Sequence, residues 1–268
     1  MGQVFPKRLW GDAFALSDLI EQVGGGHDYA VRDFALLTIA AQLTERFPNQ
    51  LVFKGGFVLR HVHQVERFSE DVDSTRHNPA KHRLEATEVA DAIRDASSGD
   101  IIRFSPQLPA TDSGRSLDFD QVLVTGSLLQ ETQVQVEISY REEVIDPPMT
   151  EFVGVPFYEN FPILAMSPVE MAAEKMRTLA QRVKVTDLAD LAELLMRDDV
   201  LDRELARLAT HKFELVKTGV ANRETRIHEN LLEMAADYDA TIRIFYPAAR
   251  SYDESFSKVW PRIKRLIP

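Results

Sequence analysis

Residues 54–74 read KGGFVLRHVHQVERFSEDVDS, and the fold turns on how this stretch is parsed. The apolar run Leu51-Val52-Phe53 ahead of it reads as a short strand that ends in a tight turn at Gly55-Gly56. A helix over 57–65 and a second strand over 70–75 follow. Glycine lets the backbone approach a phosphate closely, and a helix start directs unbonded amides and a positive dipole end at it. On the second strand, residues two apart share a face. Asp71 and Asp73 therefore converge, while Val72 turns to the core. Two neighbouring carboxylates repel each other unless a cation lies between them. All-oxygen ligation suits Mg²⁺, with Mn²⁺ as an alternative.

A third acid comes later in the chain. In Val134-Gln135-Val136-Glu137-Ile138 the alternation predicts a strand that buries its valines and isoleucine and presents Glu137 on the other face. With Asp71 and Asp73 it forms the candidate metal set, and Glu137 can either ligate or take a proton from an attacking hydroxyl. No protein nucleophile is then needed. The structural alternative is a turn with two solvated aspartates and an edge-strand glutamate.

Outward from this centre, the spacing predicts a mostly buried helix over 29–46 and another over 84–97. The text is strand-like from about 101 to 140. A proline-rich connector with one short strand fills 146–165. A helix over 12–23 and a GGGHD loop at 24–28 precede all of these. After residue 165 every segment reads as helix. Ser167 caps the first of these, Pro168 suits its first turn and Glu170 completes a capping box, with the helix running to about Val183. Thr186 reads as the cap of the next. Segments 201–217, 223–246 and 251–266 supply the rest. The expectation is α+β: a nucleotide-handling domain over 1–165 with a small mixed sheet, then an all-helical domain over 166–268.

Composition narrows the class. The 268 residues are 44% hydrophobic and 27% charged, enough for a sizeable core without metal or disulfide support. There is no cysteine, which removes disulfides, thiolate zinc sites and a cysteine nucleophile. No apolar run suggests a signal peptide or a membrane span, so the simplest reading is a cytoplasmic protein. The net charge of −11 (31 basic, 42 acidic residues) opposes broad nucleic-acid binding while leaving room for a local basic patch. The segment KVWPRIKR at 258–265 is the candidate for such a patch.

The passage from Phe53 to Asp73 resembles the AbiEii/MenT nucleotidyltransferases, toxins of bacterial toxin–antitoxin and abortive-infection systems. Their signature is similar to Lys-Gly-Gly-Thr-x-Leu followed by Arg-x-Ser-x-Asp-hydrophobic-Asp. Lys54, Gly55, Gly56, Leu59, Arg67, Ser69, Asp71 and Asp73 match it, and Phe57 departs from it where the family often has Thr or Ser. The segment EKMRTLAQRVKVTDLADL at 174–191 resembles the family's second motif, with Thr186 at a position that is often basic.

The resemblance implies a nucleotidyltransferase fold with its active site in a cleft between the two domains. It implies Lys54, Gly55, Gly56, Arg67, Ser69, Lys175 and Arg182 as nucleotide-binding residues. Asp71, Asp73, Glu137, Lys175 and Asp187 would be the catalytic residues, with the three acids Asp71, Asp73 and Glu137 on the metal. Transfer of a nucleoside monophosphate from a nucleoside triphosphate (NTP) to the 3′ end of a tRNA would make the protein a toxin with a cognate antitoxin. Acting on a small molecule or a protein hydroxyl is the alternative acceptor reading, and a degenerate nucleotide- or partner-binding module is the non-enzymatic one.

Read from the residues alone, Arg67 can contact phosphate or lock the loop to Asp73. Lys175 and Arg182, seven apart, are expected on one helix face. Asp187 also fits a first-turn acid favoured by the helix dipole. His61 and His63 point to different faces and make no paired metal site. Trp10, Tyr246 and Trp260 suit packing as well as base stacking.

Overall fold

The computed structural model describes residues 27–77, 83–97, 102–109, 114–126, 129–141, 143–153, 160–215 and 222–267. The helix expected at 12–23, most of the GGGHD loop and Trp10 lie outside them. The chain divides into two compact units. One comprises residues through Gln64, Phe68–Val144 and Pro148–Ala165; the other comprises Val65–Arg67, Ile145–Pro147 and the segment from Met166 onward.

The first unit is built on a mixed seven-stranded sheet. Its elements in chain order are α1 (His27–Arg46), β1 (Leu51–Lys54), α2 (Gly55–His61), β2 (Asp71–Arg76), α3 (Ala86–Asp95), β3 (Arg103–Pro106), β4 (Ser116–Gly126), β5 (Leu129–Ser139), β6 (Met149–Val153) and β7 (Phe161–Ala165). The strands lie in the order β3-β4-β5-β2-β1-β7-β6. β2 pairs parallel with β5, and β1 pairs parallel with β7; the other neighbours are antiparallel.

Alternation decides the sheet faces. Val134, Val136 and Ile138 of β5 are buried, while Gln133 and Gln135 are exposed and Glu137 is half-buried. In β4 the buried set changes phase from Leu117 and Phe119 to Val122 and Val124. The register shift between Phe119 and Val122 absorbs the change, so a bulge keeps both apolar pairs on the covered side. α1 is buried along most of its length and packs on β5, β2 and β7.

The 146–165 region holds two strands where one short strand in a connector was expected, and both extend the sheet beyond β1. Proline obscured the second. Pro162 sits at an exposed position of β7, while Phe161, Ile163 and Ala165 alternate inward.

The second unit contains α4 (Pro168–Leu179), α5 (Val185–Leu194), α6 (Asp202–Leu215), α7 (Arg223–Met234), α8 (Tyr238–Phe245) and α9 (Tyr252–Leu266). Three details depart from the sequence reading. Ser167 does cap α4, accepting from the Glu170 amide at 3.3 Å. Glu170, however, does not close a capping box. Its fully buried carboxylate accepts instead from the amides of Ile145 (2.9 Å) and Asp146 (2.8 Å) and pairs with buried Lys212 at 2.6 Å. A buried carboxylate takes the partners that neutralise it best, and a lysine with two amides outcompetes one helix-end amide.

The cap of α5 is Lys184, and Thr186 is buried inside its first turn. The segment 223–246 is two helices. Tyr238 is fully buried at the break, its hydroxyl sharing a hydrogen bond with Ser255 at 3.0 Å, and the Tyr252 amide donates to Asp239 at 2.9 Å. These contacts with the start of α9 replace the continuation of one helix.

Candidate active site

In the first unit, strand pairing lines up the chemistry. Asp71 and Asp73 stand two apart on β2, both half-buried, with Val72 between them fully buried on the opposite face. The parallel register sets Asp73 directly beside Glu137 of β5, and Asp71 beside Gln135. Register partners point to the same face, so the three acids share one side of the sheet. The row extends both ways: Lys54 is opposite Asp73 on β1, and Asp118 is opposite Glu137 on β4. Asp118 was not anticipated, because its place depends on pairing across a bulge.

The glycine turn belongs to the same face. Gly55 adopts φ +67°, in the left-handed region that favours glycine. A Cβ built there would lie 2.6 Å from Asp73 Oδ2. The backbone at Gly55 and the carboxylate of Asp73 are thus as close as a residue without a side chain allows. Gly55→Ala is expected to cost roughly 1–3 kcal/mol from the backbone conformation alone and to push Asp73 aside. A chemical denaturation midpoint and a crystal structure of the variant check both effects.

Local hydrogen bonds hold the acids. Ser69 Oγ donates toward the Asp71 carboxylate at 3.0 Å and lies 3.1 Å from the Asp71 carbonyl. Arg141 forms an ion pair with Glu137. Among the described residues no three acidic or histidine side chains already stand together as a metal-chelating group. The donor set itself suits a hard divalent cation: carboxylates on adjacent strands, one face, beside a cradle that a Cβ would fill. His61 is committed to Asp33 at 3.1 Å, within a cluster that includes Arg60.

The second unit gathers the remaining predicted residues into an ionic network around two buried aspartates. Lys175 Nζ lies 2.7 Å from Asp187 and 2.6 Å from Asp190. Arg182 Nε donates to Asp187 at 2.8 Å. Arg182 follows the end of α4, so it meets Lys175 across Asp187 and not along a helix face. Arg67 donates to both Asp190 oxygens at 2.8 and 2.9 Å, and Tyr246 donates to the same carboxylate. Asp190 is thus a buried carboxylate partner of Arg67.

Both aspartates are fully buried. Burial opposes their ionisation, but Lys175 and Arg182 beside Asp187, and Arg67 and Lys175 beside Asp190, hold both carboxyls below the ordinary range. The same carboxylates hold the Lys175 ammonium above its ordinary range despite desolvation. The Asp187/Asp190 spacing, three apart on one helix face, was the available signal for Asp190. Nothing in the sequence pointed from Tyr246 to it.

The family described as Nucleotidyl transferase AbiEii toxin, Type IV TA system, matches residues 40–261. No curated protein sequence matches the chain. Among solved structures, the fold is similar to that of MenT4, a nucleotidyltransferase toxin from Mycobacterium tuberculosis H37Rv. The TM-score is 0.72 at 22% identity, covering 94% of this chain and 88% of that one. It is also similar to JHP933 from Helicobacter pylori, with a TM-score of 0.58 at 17% identity over 92% and 93% of the two chains. At these identities the structural likeness establishes the fold, and the family match, which spans most of the chain, establishes descent. The chain belongs to the AbiEii family of nucleotidyltransferase toxins.

Proposed function

We infer that this nucleotidyltransferase moves a nucleoside monophosphate from an NTP to the 3′-terminal hydroxyl of a tRNA, releasing pyrophosphate. The observation that carries this reading is the register that sets Asp73 beside Glu137 on the face where Gly55 meets Asp73. That face offers a close backbone approach for a triphosphate and oxygen ligands for a divalent cation. Asp71 and Asp73 would hold Mg²⁺ or Mn²⁺, and Glu137 would join them by turning from Arg141. The cation, when bound, supplies charge that stabilises the pyrophosphate leaving group and acidifies the acceptor hydroxyl.

The chain's own groups have distinct parts. Lys54, Gly55 and Gly56 line the triphosphate approach. Ser69 orients the Asp71 carboxylate through its hydrogen bond. Lys175 and Arg182 are the cations assigned to the phosphates, where developing negative charge needs compensation. Asp187, fully buried, holds the two cations. Arg67 acts through Asp190. Modification of tRNA would halt translation in the cytoplasm, and a cognate antitoxin would relieve it. The net charge of −11 favours a second acceptor class, a small molecule or a protein hydroxyl.

Incubation with each α-labelled NTP, Mg²⁺ and total RNA separates the acceptors. The expected result is label at the 3′ ends of tRNA-sized species, abolished by EDTA. Label confined to protein or small molecules would move the acceptor to the second class. Absence of transfer from every NTP to any acceptor would sink the reading.

A further inference from the structure

The C-terminal residues carry no motif, yet one of them closes the network around Lys175. α8 ends at Phe245, and Tyr246 adopts an extended backbone (φ −128°, ψ 96°) ahead of Pro247. A residue before proline is steered away from the helical region, so this turn is set locally. Its ring is buried and lies under the Arg67 guanidinium, 5.5 Å from centroid to Cζ. Its hydroxyl donates to Asp190 Oδ1. Asp190 in turn takes Arg67 at 2.8 and 2.9 Å and Lys175 at 2.6 Å.

We propose that Tyr246 is a positioning residue for the Lys175 ammonium, acting through Asp190. A fully buried carboxylate has no water to share its charge with, so its protein donors divide that charge among themselves. The Tyr246 hydroxyl takes one share. Without it, Asp190 draws Lys175 and Arg67 closer, and the ammonium is offered less to an incoming phosphate. The ring is needed as well, because it carries the Arg67 guanidinium over its face. Tyr246 thus gives the C-terminal helices a part in triphosphate binding. The nucleotide side of this inference rests on the assignment of Lys175 to the triphosphate; the positioning of the ammonium does not.

The variant Tyr246→Phe keeps the ring and removes only the donor. In protein labelled with ¹³C at lysine Cε, the Lys175 resonance is identified by its loss in Lys175→Met. Tyr246→Phe is expected to move that resonance. Tyr252→Phe, which removes a hydroxyl that donates to the Leu231 carbonyl, is expected to leave it in place. The Kd for NTP is expected to rise about tenfold in Tyr246→Phe, the scale of one hydrogen bond to a charged group. In a Lys175→Met background the same change should have no further effect, since a group acting through Lys175 has nothing left to position.

An unmoved Lys175 resonance in Tyr246→Phe overturns the proposal, as does an equal loss of NTP affinity with and without Lys175. A parent protein that binds no NTP would instead refute the triphosphate assignment, and the lysine resonance would still decide the positioning role.

Discussion

Asp73→Asn is expected to fold as well as the parent and to transfer nucleotide about 10²–10³-fold more slowly, the scale of losing one preorganised electrostatic group. Asparagine has the shape of aspartate, so β2 keeps its pairing with β1 and β5. What disappears is one negative charge from a face where Glu137 is its direct register neighbour and Asp71 stands two residues away. Like charges placed directly across a strand pair destabilise it. Lys54 stands opposite Asp73 on β1 and offsets that repulsion, so the variant's thermal midpoint should stay close to the parent's. Loss of activity with no loss of stability is what a group kept for function produces. Mn²⁺ binding measured by calorimetry should weaken in parallel. Transfer at the parental rate in Asp73→Asn would remove Asp73 from the reaction and leave the carboxylate row as a structural accident.

The largest stability effect is expected at Asp190. Its carboxylate is fully buried and takes Arg67, Lys175 and Tyr246. Asp190→Ala leaves a buried guanidinium, an ammonium and a phenol without this acceptor. Breaking a buried pair from one side costs about 3–5 kcal/mol, because the remaining charge stays desolvated. For a chain of this size that lowers the thermal midpoint by roughly 6–20 °C.

The same network predicts a pH signature. Asp187 and Asp190 ionise below the ordinary carboxylate range in the folded protein. In acid the unfolded chain therefore binds more protons than the folded one, and stability rises with pH. Their contribution is whole above about pH 5 and drains away as pH falls through and below the ordinary carboxylate value near 4. Lys175 has the opposite sign, since its folded value is raised. Its contribution is whole below the ordinary lysine value of about 10.4 and is lost only as pH rises through the raised one. Thermal midpoints measured from pH 2 to 6 should climb steeply in the parent and less steeply in Asp190→Ala. Equal slopes would mean that the buried aspartates are not the groups being titrated.

Much of the site was legible because its signals are local. A strand, two glycines, a short helix and an Asp-Val-Asp strand follow one another within about two dozen residues, and each is a matter of periodicity or backbone freedom. The alternation through Val134, Val136 and Ile138 placed Glu137 on the face away from the buried residues in the same way. Ser167 as a cap and the helical character of everything after residue 165 rest on short-range rules as well. The departures were nonlocal. Glu170 abandoned a capping box for Lys212 and two distant amides. The prolines of 146–165 hid one of two strands that exist because β1 offers β7 an edge to pair with.

The residues alone determined which face of each strand the candidate acids occupy, because side-chain direction repeats with the local backbone geometry. Only the tertiary structure decided that Asp73 pairs with Glu137, that Lys54 and Asp118 extend their row, and that Arg67 and Tyr246 converge on Asp190. Strand register and the partner of a buried charge depend on segments far apart in the chain, and competition among all available partners settles them when water is excluded.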